Sequence, residues 1–129
     1  MSEETDLRDL LDRWIRVWHE GQYDLVAGCV APQYIRHDEL GDRVVTPETY
    51  ATEIAATRKA MPGLRFVIHD RTFQGDRLWI RSTLRWTDKD SGEPRNLAAM
   101  QVYRVAGGKL AETWLISKPI GSAWSELAL

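Results

Sequence analysis

The hydrophobic pattern of this 129-residue chain changes its period once, at Met61-Pro62-Gly63. Before that point apolar residues recur at the three-and-four spacing of one helix face, most clearly between residues 7 and 18. After it, β-branched and aromatic residues alternate with polar ones, and turn residues separate the runs. Helices followed by an antiparallel meander predict the α+β class, with helices packed on one sheet.

Local signals predict where the helices begin and end. The first helix should end near Gly21, and a short second helix is expected over residues 23–30. A third helix should open at Thr46-Pro47-Glu48, because threonine can cap it, proline suits its first position and glutamate faces the positive end of its dipole. Strands are expected over residues 34–37, 64–73, 78–87, 96–105 and 109–118.

Length and composition limit the function classes. With 43% hydrophobic residues, the chain has the size of one domain spanning residues 1–129. Its net charge of -2 gives no bulk attraction to nucleic acid or to an anionic membrane. The first six residues are polar and acidic, unlike a signal peptide, so a cytoplasmic location is the default expectation.

The residue types that commonly hold metals give no positive signal. A single cysteine, Cys29, excludes an intramolecular disulfide and any cysteine-cluster metal site. The three histidines, His19, His37 and His69, lack paired ligand spacing. No metal site and no cofactor are predicted.

The last third of the chain carries a family resemblance. Arg104, a Gly107-Gly108 turn and then Lys109, Glu112 and Trp114 form the order R-x4-K-[IL]-x-E-x-W across a hairpin. This order resembles the closing hairpin of SnoaL-like proteins in the NTF2-like superfamily. Four further segments are similar to family motifs in the same order: residues 17–24, 34–38, 60–65 and 75–78. The resemblance implies an NTF2-like cone, in which N-terminal helices and a curved antiparallel sheet enclose a pocket.

The resemblance also implies a reaction class. Polyketide cyclases and ketosteroid isomerases of this superfamily transfer a proton next to a carbonyl group without a cofactor. The isomerases' general base aligns here with His37 or Asp38, and consecutive strand residues point to opposite faces, so only one of the two is expected to enter the pocket. Trp14 and Gln101 align with the side chains that stabilise the oxyanion in the isomerases.

Two departures from the family pattern leave the question of catalysis open. In the cyclases an aspartate stands four residues after the last-strand tryptophan (W-x-x-x-D), and Lys118 occupies that position here. In the other common variant the aspartate directly follows the tryptophan (W-D), and Leu115 occupies that position. A non-catalytic module that holds an apolar ligand or dimerises through its sheet is therefore the alternative, since binding requires shape and apolar area but no tuned acid and base. A protein-binding adaptor is a third possibility.

The expected partner is a small apolar or aromatic molecule. Trp14, Trp18 and Trp114 are candidate ligand-binding side chains, because indoles that line a cavity favour flat ligands. Lys118 either holds a carboxylate or enolate of the ligand at the end of the last strand or reaches solvent. A homodimer is expected from the resemblance alone.

Overall fold

A computed structural model describes residues 3–125. Helix α1 (Glu3–Glu20) leads through a 3-10 turn (Tyr23–Leu25) into the short helix α2 (Val26–Cys29), and helix α3 (Pro47–Ala60) follows the first two strands. The strands are β1 (Val30–Asp38), β2 (Gly41–Val45), β3 (Arg65–Gln74), β4 (Arg77–Thr87), β5 (Pro94–Ala106) and β6 (Lys109–Ser117). None of the helices in the described part of the chain is long and apolar enough to span a membrane.

The six strands form one curved, unclosed sheet in the order β2-β1-β6-β5-β4-β3. Neighbouring strands are antiparallel except β1 and β6, which pair in parallel. The α+β class and the NTF2-like arrangement of helices on a sheet are confirmed. The sheet is mixed where an antiparallel one was expected, because the first strand of the chain inserts beside the last.

The boundaries agree with the local signals at α3 and differ around α2. Thr46 caps α3, its side chain accepting a hydrogen bond from the backbone N–H of Thr49 while the Thr49 side chain accepts from the backbone N–H of Thr46. The second helix was expected to reach residue 30, but Val30 begins β1, and Pro32 lies exposed within that strand near a register shift between Val30 and Ile35. Strand β2 was not expected, because its sequence shows no alternation of apolar and polar residues.

The core lies between the helices and one face of the sheet, here called the inner face. Helix α1 buries Trp14 and its apolar neighbours there, and α3 buries Tyr50 and Ile54. Burying one large apolar side chain stabilises a fold by roughly 1.5–3 kcal/mol. The residues of β4 and β5 that point to this face are buried or line its cavity: Leu78, Ile80, Ser82, Leu84, Leu97, Ala99, Gln101 and Tyr103.

The opposite face of the sheet, here called the outer face, carries exposed apolar side chains. Trp79, Met100 and Ile116 expose 50%, 52% and 76% of their surface. They alternate along their strands with inner-face residues, as the two-residue period of a strand requires. None of the described helices packs against the exposed apolar residues of the outer face. The expected homodimer stays a prediction.

Candidate functional site

A cavity of about 280 Å³ lies between the helices and the inner face of the sheet. That volume is close to the lower end of small-molecule sites. Most of its wall is apolar: Trp14, Trp18, Met61, Leu64, Phe66, Leu84, Leu97, Ala99 and Leu115. Polar side chains also line it, among them four from β1 and β5: Arg36, Asp38, Gln101 and Tyr103.

Arg36 is a buried cation in the wall of this cavity, with 6% of its surface exposed. Its Nε donates to Oδ2 of Asp38 at 3.2 Å, and its Nη1 donates to the Tyr34 hydroxyl at 3.2 Å. The guanidinium lies 4.7 Å from the ring centroid of Tyr50. Burial opposes its charge, but the surrounding oxygens of Tyr50, Tyr34, Tyr103 and Asp38 hold the pKa of Arg36 above its usual value. Within residues 3–125 no acceptor bonds its Nη2.

Asp38 is the carboxylate next to Arg36, and it lines the same cavity. It accepts hydrogen bonds from Arg36, from Nη2 of Arg43 at 3.0 Å and from the backbone N–H of Leu40 at 3.0 Å. Burial alone would raise the pKa of Asp38, but the hydrogen bonds from Arg43 and Leu40 and the two nearby positive charges lower it below its usual value. Asp38 is therefore an anion at neutral pH.

The charges continue from the cavity toward the surface. Arg43 on β2 donates to both carboxylate oxygens of Glu53 on α3, at 2.6 and 2.7 Å, while also binding Asp38. This two-point geometry favours an ordered pair. Asp38 is thus shared between two arginines, and one of those arginines has a second carboxylate of its own.

Gln101 and Tyr103 form the polar group on β5. The Tyr103 hydroxyl donates to Oε1 of Gln101 at 2.7 Å, and among the described residues none accepts from the Gln101 Nε2. Burial, assisted by the nearby Tyr34, raises the pKa of Tyr103, although Arg36 and the indole of Trp14 oppose this. Tyr103 is neutral at physiological pH, and its hydrogen bond fixes which end of the Gln101 amide can reach a guest.

The structure separates the two candidate bases. Asp38 lines the cavity, whereas His37 points to the outer face, as the alternation of strand residues requires. There the two ring nitrogens of His37 bond Asp42 at 2.8 Å and Glu112 at 2.7 Å, and the ring stacks on Trp114. These hydrogen bonds to Asp42 and Glu112 raise the pKa of His37. His37 has no contact with the cavity.

The predicted ligand-binding residues divide between the two faces. Trp14, Trp18 and Gln101 line the cavity. Trp114 does not: it lies on the outer face, 36% exposed and under the guanidinium of Arg77. Lys118, one residue beyond β6, is also exposed on that side. The reason is again strand parity, because Trp114 is next to Thr113 and Leu115, which point inward.

Among the cavity residues that the predicted site lacked, three form the buried charge and its aromatic surroundings: Arg36, Tyr50 and Tyr103. Arg36 shares the inner face of β1 with Tyr34 and Asp38, so the two-residue spacing groups it with a predicted residue.

Within residues 3–125 no group of three or more His, Cys, Asp and Glu side chains is arranged to hold a metal ion.

Comparison with models of protein families shows to which family the chain belongs. The model of the SnoaL-like domain matches residues 11–113, which is most of the chain. The chain belongs to the SnoaL-like domain family. No curated protein matches its sequence.

Solved structures agree with this SnoaL-like fold. A proposed polyketide cyclase from Acidithiobacillus ferrooxidans superposes with a TM-score of 0.79 at 23% identity, over 91% of each chain. A SnoaL-like polyketide cyclase from Agrobacterium tumefaciens gives 0.76 at 16% identity, over 87% of this chain and 91% of that one. A hypothetical protein with a ketosteroid isomerase-like fold from Catenulispora acidiphila, in complex with trimethylamine, gives 0.72 at 16% identity over 83% of each chain. At such identities these neighbours show the shared fold alone.

In this SnoaL-like chain the last strand contributes no carboxylate to the cavity. Leu115 and Ser117 point into it, and Lys118 lies beyond the strand on the other side. The acidic side chains that line the cavity are Asp38 and Glu39, from the end of β1 and the turn after it. A carboxylate acid or base in the described cavity therefore comes from the end of β1 or the turn after it.

Proposed function

We propose that this SnoaL-like protein binds an apolar, ring-containing small molecule in its cavity and transfers a proton next to a carbonyl group of that molecule. The observation that carries the proposal is the cavity itself, whose wall is apolar except for Asp38, Arg36 and Gln101 and a few neighbouring polar groups. An apolar wall with a few convergent polar groups is what a small-molecule site requires.

Asp38 is the proposed base. Its carboxylate is ionised at neutral pH and lines the cavity, so it can accept a proton from a carbon next to a carbonyl group. Its lowered pKa makes it a weak base, so the reaction relies on stabilising the enolate that forms. Nε2 of Gln101 is the amide donor available for that oxygen, and Tyr103 fixes its orientation. The Trp14 indole lies beside the Tyr103 hydroxyl and supports this arrangement.

Asp38 and the adjacent His37 give a matched pair of variants for testing which residue is the base. Candidate guests, aromatic polyketides and steroids, are incubated with the protein in D2O, and exchange of the protons next to their carbonyl groups is followed by NMR. Asp38→Asn is expected to slow exchange by about 10²- to 10⁴-fold, the usual contribution of a general base. His37→Gln, on the other face of the same strand, should change the rate by less than threefold. Equal rates for Asp38→Asn and the wild type would contradict the assignment.

Binding without catalysis is the second candidate. It is favoured by the three hydrogen bonds that hold the Asp38 carboxylate and by the lowered pKa of that carboxylate. It is also favoured by Leu115, which adds apolar wall at a position where some family members carry an aspartate. Calorimetry with the same guests separates the candidates. Binding with no proton exchange supports a binding module, and binding with exchange that depends on Asp38 supports the enzyme.

A further inference from the structure

Arg36 has an unusual position for a charged side chain. It is more than nine-tenths buried, it lines an otherwise largely apolar cavity and its guanidinium stacks on Tyr50. Removing a charge from water is costly unless partners replace the lost hydration. The burial of Arg36 therefore raises the question of whether neighbouring residues accept all the hydrogen bonds that its guanidinium can donate.

The described residues accept hydrogen bonds from two of the three nitrogens of this guanidinium. Asp38 accepts from Nε and the Tyr34 hydroxyl accepts from Nη1, while Nη2 donates to none of residues 3–125. The single carboxylate bonded to Arg36 is also bonded by Arg43 at 3.0 Å. Glu53 is not a partner of Arg36, because both of its carboxylate oxygens accept hydrogen bonds from Arg43.

The aromatic neighbours add no negative charge. Tyr34, Tyr50 and Tyr103 are fully buried around the guanidinium, and burial keeps their hydroxyls protonated. Among residues 3–125, the one further carboxylate in the cavity wall belongs to Glu39, which is exposed and accepts a hydrogen bond from the Ser117 hydroxyl. Solvent screens an exposed charge much more than a buried one.

We propose that Arg36 binds an anionic oxygen of the guest through Nη2, so that the cavity selects ring-containing carboxylic acids over neutral molecules of the same shape. A charge-assisted hydrogen bond to a carboxylate is stronger than one to a neutral oxygen, and a surrounding of low dielectric constant strengthens it further. Arg36 is then a specificity-determining residue. This inference rests on the proposed use of the cavity as a small-molecule site.

The test compares matched guests by isothermal titration calorimetry at pH 7: 2-naphthoic acid and its neutral isostere, 2-naphthamide. The wild type is expected to bind the acid at least tenfold more tightly than the amide. Arg36→Met should weaken acid binding at least tenfold and change amide binding less than threefold. Arg36→Lys, which keeps the charge, should restore part of the preference for the acid.

Arg36→Met also removes the partner of Asp38, so a second variant tests the same point without touching the buried pair. Glu39→Gln removes an exposed negative charge from the cavity wall and should raise the ratio of acid affinity to amide affinity two- to fivefold, whereas an unchanged ratio would contradict an anion bound in the cavity. Its circular dichroism and melting temperature should match those of the wild type.

The outcomes separate this inference from the function on which it rests. Equal affinity of the wild type for acid and amide, or binding of neutral steroids and polyketides but of neither naphthalene compound, overturns the role of Arg36 and leaves the small-molecule site standing. Absence of binding for every guest, acidic and neutral, overturns both. An acid preference that survives in a folded Arg36→Met protein also overturns the role of Arg36.

Discussion

Arg36 and Asp38 lie two residues apart on β1 and point to the same face of the sheet, with Nε of one 3.2 Å from Oδ2 of the other. Both side chains are at least 90% buried, since 7% and 10% of their surfaces are exposed. The proposed base and the proposed anion-binding residue are therefore one ion pair. A change in either residue alters the other.

Asp38 should make stability depend on pH in the acid range. Its folded pKa lies below the unfolded value of about 3.9, so its stabilising contribution is complete above that value and is lost as the pH falls through the folded pKa. Asp38→Asn should lower the free energy of unfolding at pH 7 by roughly 3 kcal/mol, because it leaves a buried arginine without its carboxylate. Urea unfolding at pH 7 and pH 3 measures both effects.

The exposed pair of Arg8 and Glu4 on α1 is the control. Glu4→Gln should cost under about 1 kcal/mol at pH 7. The difference in stability between pH 7 and pH 3 should be smaller for Asp38→Asn than for the wild type. If the variant and the wild type lost equal stability between these pH values, the lowered pKa of Asp38 would be wrong.

His37 and His19 should titrate on opposite sides of the ordinary histidine pKa near 6.5. Hydrogen bonds to Asp42 and Glu112 raise the pKa of His37, while burial, with help from Arg65, lowers that of His19. A group with a raised folded pKa stabilises the fold fully below its unfolded pKa and loses that contribution as the pH rises through the folded value. His37 should therefore stabilise the protein more at pH 5.5 than at pH 8.5.

One NMR titration of the histidine ring protons checks both shifts. Asp42→Asn should move the pKa of His37 down toward its ordinary value and leave His19 unchanged, because Asp42 contacts only the former. A wild-type His37 pKa at or below 6.5 would show that the outer-face hydrogen bonds do not form in solution.

The cap of α3 can be tested by one pair of threonine substitutions. Thr46→Ala should destabilise the protein by about 1 kcal/mol, because it removes the acceptor for the backbone N–H of Thr49. Thr52→Ala in the same helix replaces an exposed interior threonine and should be neutral or slightly stabilising. Thermal unfolding of the two variants measures the difference, and equal melting temperatures would argue against the cap.

The fold could be predicted because its local signals agree with one another. The change of hydrophobic period near Pro62 separates helices from strands, and Thr46-Pro47 marks the start of α3. The parallel pairing of β1 with β6 carries no local signal, because it joins segments about 80 residues apart along the chain. Strand β2 was not predicted either. Its composition does not favour a strand, and its extended conformation depends on antiparallel pairing with β1.

The site was harder to predict, because alternation along a strand shows which residues share a face but not which face lines the cavity. In β1 one face carries Tyr34, Arg36 and Asp38, and the other carries Ile35 and His37. Either set could face a cavity until the neighbouring strands are known. A charged residue in a strand is exposed by default, so Arg36 gave no sign of its burial. Trp114 was misplaced for the same reason, one residue from the inward-pointing Leu115.

The central claim is that guests bind in the cavity of the inner face, and two neighbouring residues of β5 test it most directly. Ala99 lines the cavity and is 1% exposed, whereas Met100 points to the outer face and is 52% exposed. Ala99→Leu adds volume inside the cavity, and Met100→Leu keeps nearly the same volume outside it. Calorimetry with the guest that binds the wild type most tightly should show at least a tenfold loss for Ala99→Leu and less than a twofold change for Met100→Leu. Unchanged affinity in a folded Ala99→Leu protein would contradict the account.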